Sequence, residues 1–292
     1  YYMSKEINSI LKLFNPEIPK INSKKIKKKK ILGKGSNGIV YLVDYNNKFI
    51  TLKIQKNYSD APNFIFNNNK MICSNTHIND LIVSYIVSEL NKNKEYVQKF
   101  LGYEISKKEL SIYKEYIELK LEDYLNNKNI KVEDKIIIII NVFFILYKTY
   151  QDELKGFHGD IKPENVLLRK TKLKFNEIKI NGKKYKIPIK NYIPVIIDNG
   201  SSTVIKIKNK SQIIKRYYKK YYLEKIHKCD LNTTFNFYYD LYFFYNRKNN
   251  QYLKIIPKEI LYVLSDINDN HGKYLLTVEN ILNHKIIQKY LI

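Results

Sequence analysis

His158-Gly159-Asp160-Ile161-Lys162-Pro163-Glu164-Asn165 runs directly into Val166-Leu167-Leu168, an apolar stretch that reads as a strand. After an insertion, a second apolar run, Pro194-Val195-Ile196-Ile197, ends in Asp198-Asn199-Gly200. Between them Lys172 to Lys190, with Asn181-Gly182 at its centre, reads as an inserted β-hairpin, because Asn-Gly favours the tight turn that joins antiparallel strands.

Upstream lies a glycine turn. Gly33-Lys34-Gly35-Ser36-Asn37-Gly38-Ile39-Val40 has the G-x-G-x-x-G pattern. Alone that pattern is weak, because dinucleotide-binding folds and ordinary hairpins carry it too. A dinucleotide fingerprint opens a helix, whereas Ile39 to Val43 continues into a strand. A glycine turn between strands can lie over a nucleotide and present N–H groups to phosphate, since no Cβ blocks the approach. Asn46-Asn47 marks the next turn, and Phe49 to Ile54 a further strand carrying Thr51 and Lys53. A buried lysine needs a partner; an exposed strand lysine is the plainer alternative in so lysine-rich a chain.

Ile78 to Leu90 has apolar residues at helical spacing. Val97 to Ile105 and Leu110 to Ile117 read as strands, Leu119 to Leu125 as a helix, and Glu133 to Glu153 as another. The longest apolar run, Ile136 to Leu146, is too short to span a bilayer and reads as a buried helix, so no membrane span is expected. A β-rich first third followed by a helical remainder gives an α+β outline of two lobes.

Composition narrows the class. The chain has 292 residues, 44% of them hydrophobic, enough for a substantial core. The net charge of +24 is nearly all lysine; Arg169, Arg216 and Arg247 are the only arginines. A nucleic-acid reader would want arginine forks, so no specific nucleic-acid partner is expected, although acidic partners are favoured. The abundance of Lys, Asn, Ile and Tyr suggests AT-rich coding, which accounts for part of the charge. Cys73 and Cys229 offer neither a disulfide framework nor a zinc knuckle, and Tyr1 to Lys5 has no signal-peptide architecture. A reducing, cytoplasmic location is expected. Residues 1–28 read as a basic extension whose run Lys24 to Lys30 is either a solvated edge or a patch for acidic partners or nuclear targeting.

Taken together, these blocks resemble the eukaryotic-type protein kinase superfamily over roughly residues 31–245, with a weaker echo to the end. The glycine turn matches that family's G-x-G-x-x-G-x-V, Lys53 its strand lysine, Asp160 and Asn165 its catalytic loop, and Asp198 its metal-binding aspartate. The resemblance implies a kinase domain over 29–292, with a β-rich N-lobe about 29–116 and a helical C-lobe about 117–292. It implies ATP and Mg²⁺ or Mn²⁺ as cofactors and serine or threonine hydroxyls of proteins as acceptors. Asp160 would orient the hydroxyl, Lys162 contact the γ-phosphate as in serine/threonine kinases, and Asn165 and Asp198 hold the metal. Gly33, Lys34, Gly35, Ser36, Asn37, Gly38, Val40, Thr51 and Lys53 would surround the nucleotide. Glu115 and Ile117 would offer backbone groups to adenine, with Lys114 at the gatekeeper position. Tyr239 to Tyr242 resembles the helix bracing the catalytic loop, and Leu276 to His284 the closing helix.

The pattern departs from the family in several places. Gly159 replaces the arginine that reads an activation-segment phosphate, as it does in casein-kinase-like and vaccinia-related kinases. Asn199 replaces the phenylalanine after the metal aspartate. The Ala-Pro-Glu anchor is missing, and the gap from Asp160 to Asp198 is far longer than usual. The acid that pairs with Lys53 is either Asp80, which has the better spacing, or Glu89, on the apolar face of its helix. These departures support an alternative, a pseudokinase acting as scaffold or regulator; an aminoglycoside-type small-molecule kinase is a third reading. The lysine-rich stretch Lys206 to Lys228, with Glu224 its one acid, would attract acidic protein substrates. Coding bias and the divergent C-terminal half suit a large DNA virus or intracellular parasite, with the enzyme then in host cytoplasm or nucleus.

Overall fold

The computed structural model describes residues 21, 23–35, 38–56, 65–67, 70–72, 76–106, 109–154, 158–202, 213–215, 251–271 and 277–292. Ser36 and Asn37, both cysteines, the 206–228 stretch apart from 213–215, Tyr239 to Tyr242 and Leu276 lie outside them. The architecture is mixed α+β.

Strands β1 (Ile26–Gly35), β2 (Gly38–Tyr45) and β3 (Lys48–Lys56) form a meander, joined at Asn46 and Asn47, whose φ of 52° and 61° suit a tight turn. Short strands β4 (Ile65–Asn67) and β5 (Lys70–Ile72) follow, then helix α1 (Thr76–Leu90), β6 (Phe100–Ile105) and β7 (Glu109–Glu115). The order β1-β2-β3-β7-β6 makes one antiparallel five-stranded sheet. β1 is its edge, and Lys27 to Lys30 are all exposed there. Strand lysines on an edge oppose pairing with another chain, so this part of the basic run is a solvated edge. The strand takes in Ile26 to Lys28, which the reading of 1–28 as an extension left out.

Helix α1 is buried more completely than its apolar spacing predicts. Asn79, Asp80, Ser84 and Ser88 are buried along with Leu81, Ile82, Tyr85 and Ile86. The reason is position: the helix lies between the sheet and the segment after Asp198. Glu89 instead pairs with Lys92 at 3.7 Å, beside the helix end.

β8 (Leu119–Lys120), α2 (Leu121–Asn126) and α3 (Val132–Leu146) come next. The helix expected from Leu119 therefore starts two residues later, because Leu119 and Lys120 pair with Leu168 and Leu167. Every residue from Ile136 to Leu146 is buried, as an all-round apolar helix requires. A π-helical turn, Tyr147–Glu153, continues it. β9 (Val166–Lys170), β10 (Phe175–Ile180), β11 (Lys183–Pro188) and β12 (Tyr192–Ile196) follow, with β9 between β8 and β12. β10 and β11 are the inserted hairpin, turning at Asn181 (φ 47°) and Gly182 (φ 86°). Its Ile178, Ile180, Tyr185 and Ile187 join the core, while Asn141 donates to Pro188 O and accepts from Asn176, both within 3 Å. Asn141, the one polar break in the apolar run, thus fastens the insertion to α3. β13 (Ile213–Lys215) pairs with β5. Helices α4 (Lys258–His271), α5 (Val278–Asn283) and α6 (Lys285–Gln288) close the chain, α5 capped by the Thr277 hydroxyl. No helix among the described residues is long and apolar enough to cross a membrane.

Candidate active site

One cavity of about 470 Å³ lies between the sheet and the β8–β9–β12 layer. Of the residues singled out from sequence, Gly33, Lys34, Gly35, Gly38, Val40, Thr51, Lys53, Ile117, Asp160, Lys162, Asn165 and Asp198 all line it. They arrive from distant parts of the chain, and each is placed by a local reason.

The glycine turn roofs the cavity at the β1–β2 junction. Gly38 has φ +126°, and a Cβ there would stand 2.3 Å from Ile54 O on β3. Gly38→Ala should therefore cost about 2–3 kcal/mol of stability, through strained backbone and a clash with a strand that cannot move. Gly33 and Gly35 have nothing within 4 Å of such a Cβ. Chemical denaturation of the three alanine variants checks the contrast, with only the Gly38 variant losing stability.

Beneath the roof sits an ionic cluster centred on the fully buried Asp80. Lys53 Nζ donates to Asp80 Oδ2 at 2.7 Å and to Asp198 Oδ1 at 2.8 Å. Asp80, not Glu89, is thus the acid opposite Lys53. Its other oxygen, Oδ1, accepts from Lys114 Nζ at 3.1 Å, Ser84 Oγ at 3.0 Å and the Asn199 N–H at 3.1 Å. Burial works against the Lys53 charge, but Asp80 and Asp198 outweigh it and hold the ammonium above the usual lysine range. Burial would likewise raise the Asp80 carboxyl, yet Lys114, and then Lys53, keep it well below the usual carboxylate range. Burial and then Lys53 push the His77 imidazole, one helical turn away, below its ordinary value.

The floor is the turn Asp160 to Asn165. Asn165 Nδ2 donates to Asp160 O at 2.8 Å and to Asp160 Oδ2 at 3.1 Å. Lys162 Nζ stands 3.2 Å from the same carboxylate oxygen. The Ile197 N–H donates to Asn165 O at 2.9 Å, which sets Asp198 beside this turn. His158, fully buried, accepts from the Asp160 N–H at Nδ1 and donates from Nε2 to Ile197 O at 3.0 Å. Asp198 itself takes a left-handed conformation, φ 63° and ψ 69°. Gly159, with φ 79°, gives the turn a backbone angle that a residue with a Cβ would adopt only under strain.

The segment after Asp198 is fastened by polar groups. Asn79 Nδ2 donates to the carbonyls of Asn199, Gly200 and Ser202 at 3.2, 3.0 and 2.8 Å. Asn199 Nδ2 donates to Ser84 Oγ at 3.0 Å, and its Oδ1 accepts from Tyr150 at 2.5 Å. An asparagine in a buried site is viable because each of its polar atoms is engaged.

Glu115 is not brought to the cavity. Its carboxylate pairs with Arg169 at 2.5 Å, its N–H donates to Lys99 O, and its carbonyl accepts from Gln98 Nε2 at 2.8 Å. The Glu115 carbonyl also accepts from Thr51 Oγ1 at 3.5 Å. Gln98, Tyr116 and Lys114 line the cavity instead. The signal that could have found Lys114 is its alternation with Ile112 on one strand face. A lysine on a buried face requires an acid opposite, and Asp80 was the acid in need of a face.

The donors suit a magnesium–nucleotide ligand. The Asp198 carboxylate is 30% exposed, and Asn165 lies beside it; both are hard oxygen ligands. Among the described residues no group of three or more His, Cys, Asp or Glu forms a metal cage. Mg²⁺ is ordinarily held by one or two protein oxygens together with phosphates, which this donor set fits.

No family model matches the chain. It is similar to an uncharacterized protein of Caenorhabditis elegans, ZK177.2, at 24% identity over 212 residues. The match covers 68% of this chain and 66% of that protein, so the chain spans just under two thirds of its relative's length.

Proposed function

We propose that the chain is a member of the protein kinase superfamily that transfers the γ-phosphoryl group of ATP to serine or threonine hydroxyls of proteins. The observation that carries this reading is the convergence, in one cavity, of the glycine turn, the Lys53–Asp80 pair and the oxygens of Asp160, Asn165 and Asp198. The five-stranded sheet with α1 then corresponds to an N-lobe, and α2 onward to a C-lobe.

Phosphoryl transfer asks a protein mainly for positioning and for neutralising spread negative charge. Bound Mg²⁺ and ATP would supply the reactive phosphoryl group and most of its charge compensation. Lys53 would hold the α- and β-phosphates, and Asp198 and Asn165 would hold the metal. The Asp160 carboxylate, kept in place by Lys162 and Asn165, would accept a hydrogen bond from the attacking hydroxyl and aim it. Glu118, Glu122 and Glu164 stand at the cavity wall. Burial, and then Glu164 and Asp123, raise the Glu122 carboxyl above its ordinary value.

A second reading, an inert scaffold, has one observation on its side: the Glu115 carbonyl expected to meet adenine already accepts from Gln98. Labelled ATP with casein, myelin basic protein and small aminoglycosides, with and without Mg²⁺, separates the readings. Metal-dependent label on serine or threonine is expected. Nucleotide binding without transfer would favour the scaffold, and label on the aminoglycosides a small-molecule kinase.

Phosphatase-treated protein should keep its rate. Gly159 supplies no guanidinium for a phosphate to engage, and Asn79, Ser84 and Tyr150 already secure the Asn199 segment. A tenfold drop after dephosphorylation, on the order expected when one charge-assisted contact is lost, would contradict this.

A further inference from the structure

We propose that Lys114 is a positioning residue for Lys53: the two lysines share Asp80, one on each carboxylate oxygen, so that α1 stays tied to the sheet when Lys53 turns to a ligand. The part concerning the ligand rests on the kinase reading; the sharing itself does not.

The geometry leaves little freedom. Asp80 is fully buried, and Lys114 is 7% exposed. Lys114 Nζ reaches Asp80 Oδ1 at 3.1 Å and Ser84 Oγ at 2.7 Å. Ser84 Oγ is saturated, donating to Asp80 and accepting from Lys114 and from Asn199 Nδ2. Asp80 thus joins α1 to β3 through Lys53, to β7 through Lys114 and to the segment after Asp198 through the Asn199 N–H.

Charge explains why two lysines are present. Asp80 and Asp198 carry two negative charges, and Lys53 and Lys114 two positive ones. A phosphate at Lys53 would draw the ammonium from Asp80. With Lys53 alone, Asp80 would then be a buried carboxylate without a cation, a costly state. Lys114 holds the other oxygen throughout, so Lys53 can exchange partners while α1 and the Asp198 segment stay in place. The burial of Lys114 within hydrogen-bond reach of an acid on a neighbouring element also distinguishes it from the chain's surface lysines.

The test is a pair of double-mutant cycles. Without ligand, Lys53→Met and Lys114→Met should each shift the folding equilibrium by less than about tenfold, because one lysine still serves Asp80. The double variant should lose about a thousandfold or more, far beyond the sum, because a buried carboxylate is left alone. If the double variant does not fold, adding Asp80→Asn should restore folding, since the stranded charge is gone. Additive losses, or no recovery in the triple variant, would overturn the sharing of Asp80. With Mg·ATP, Lys114→Met should raise KM about tenfold with kcat changed less, because Asp80 then holds Lys53 more tightly. In the Lys53→Met background, Lys114→Met should not weaken ATP binding further. An unchanged KM would mean that Lys114 only fills the back of the cavity. A wild-type protein that binds no Mg·ATP would remove the kinase reading, while the folding cycle would still decide the shared carboxylate.

Discussion

On the kinase reading, Asp160→Asn should lower the turnover of protein phosphorylation by about 10²–10³-fold and leave the fold intact. The Asp160 side chain is 25% exposed in the cavity, and its carboxylate is held from one side by Lys162 and Asn165. Asparagine keeps the shape but loses the charge that would aim a hydroxyl. Its amide would also set donors against the Lys162 ammonium and the Asn165 amide. No apolar core residue depends on the carboxylate, so thermal unfolding should stay near wild type. Steady-state kinetics beside a melting curve checks both halves. Turnover at the wild-type level would remove Asp160 from the role assigned to it. Lys53→Met and Asp198→Asn should fall in the same range of activity, and Lys53→Met should remain folded because Lys114 still faces Asp80.

Asp80→Asn should instead show itself in stability, with a loss of about 3–5 kcal/mol. Asparagine retains the size and some hydrogen bonds, but the buried Lys114 and the largely buried Lys53 lose their common counter-charge. Among the described residues Lys114 then has Ser84 as a partner, and Lys53 has Asp198. The Asn199 N–H also loses a carboxylate acceptor, so the segment after Asp198 loosens together with α1. Urea unfolding of Asp80→Asn against Glu89→Gln gives the clearest comparison. Glu89 meets Lys92 in a partly exposed pair, a contact ordinarily worth less than about 1 kcal/mol. Equal losses in the two variants would mean that the Asp80 cluster contributes no more than a surface pair.

Much of the cavity was legible because its turns call for particular residue types at short range. The turn from Asp160 to Asn165 has its spacing fixed by local backbone, and it could be read with no partner in view. The Asn181-Gly182 hairpin was equally local, since both residues must enter the left-handed region and few others do so readily. The central helix through Ile136 to Leu146 declared itself by an apolar run that only a core can hold.

What sequence could not rank was decided by contacts between distant elements. Asp80 and Glu89 lie on one helix; spacing favoured Asp80, while the apolar face of the helix favoured Glu89. The sheet and the Asp198 segment enclose one side of α1, which buries Asp80 and leaves Glu89 beside Lys92 at the helix end. Glu115 looked like a cleft residue by its place in the strand; its carboxylate instead meets Arg169, 54 residues on in sequence. Lys114 looked out of place until the same fold set it against Asp80. Residue type and local spacing marked the candidate residues, because backbone turns and helical periods act over a few residues. The pairing of charges was a tertiary decision, because a buried ion's partner is whichever opposite charge the packed elements bring within about 3 Å.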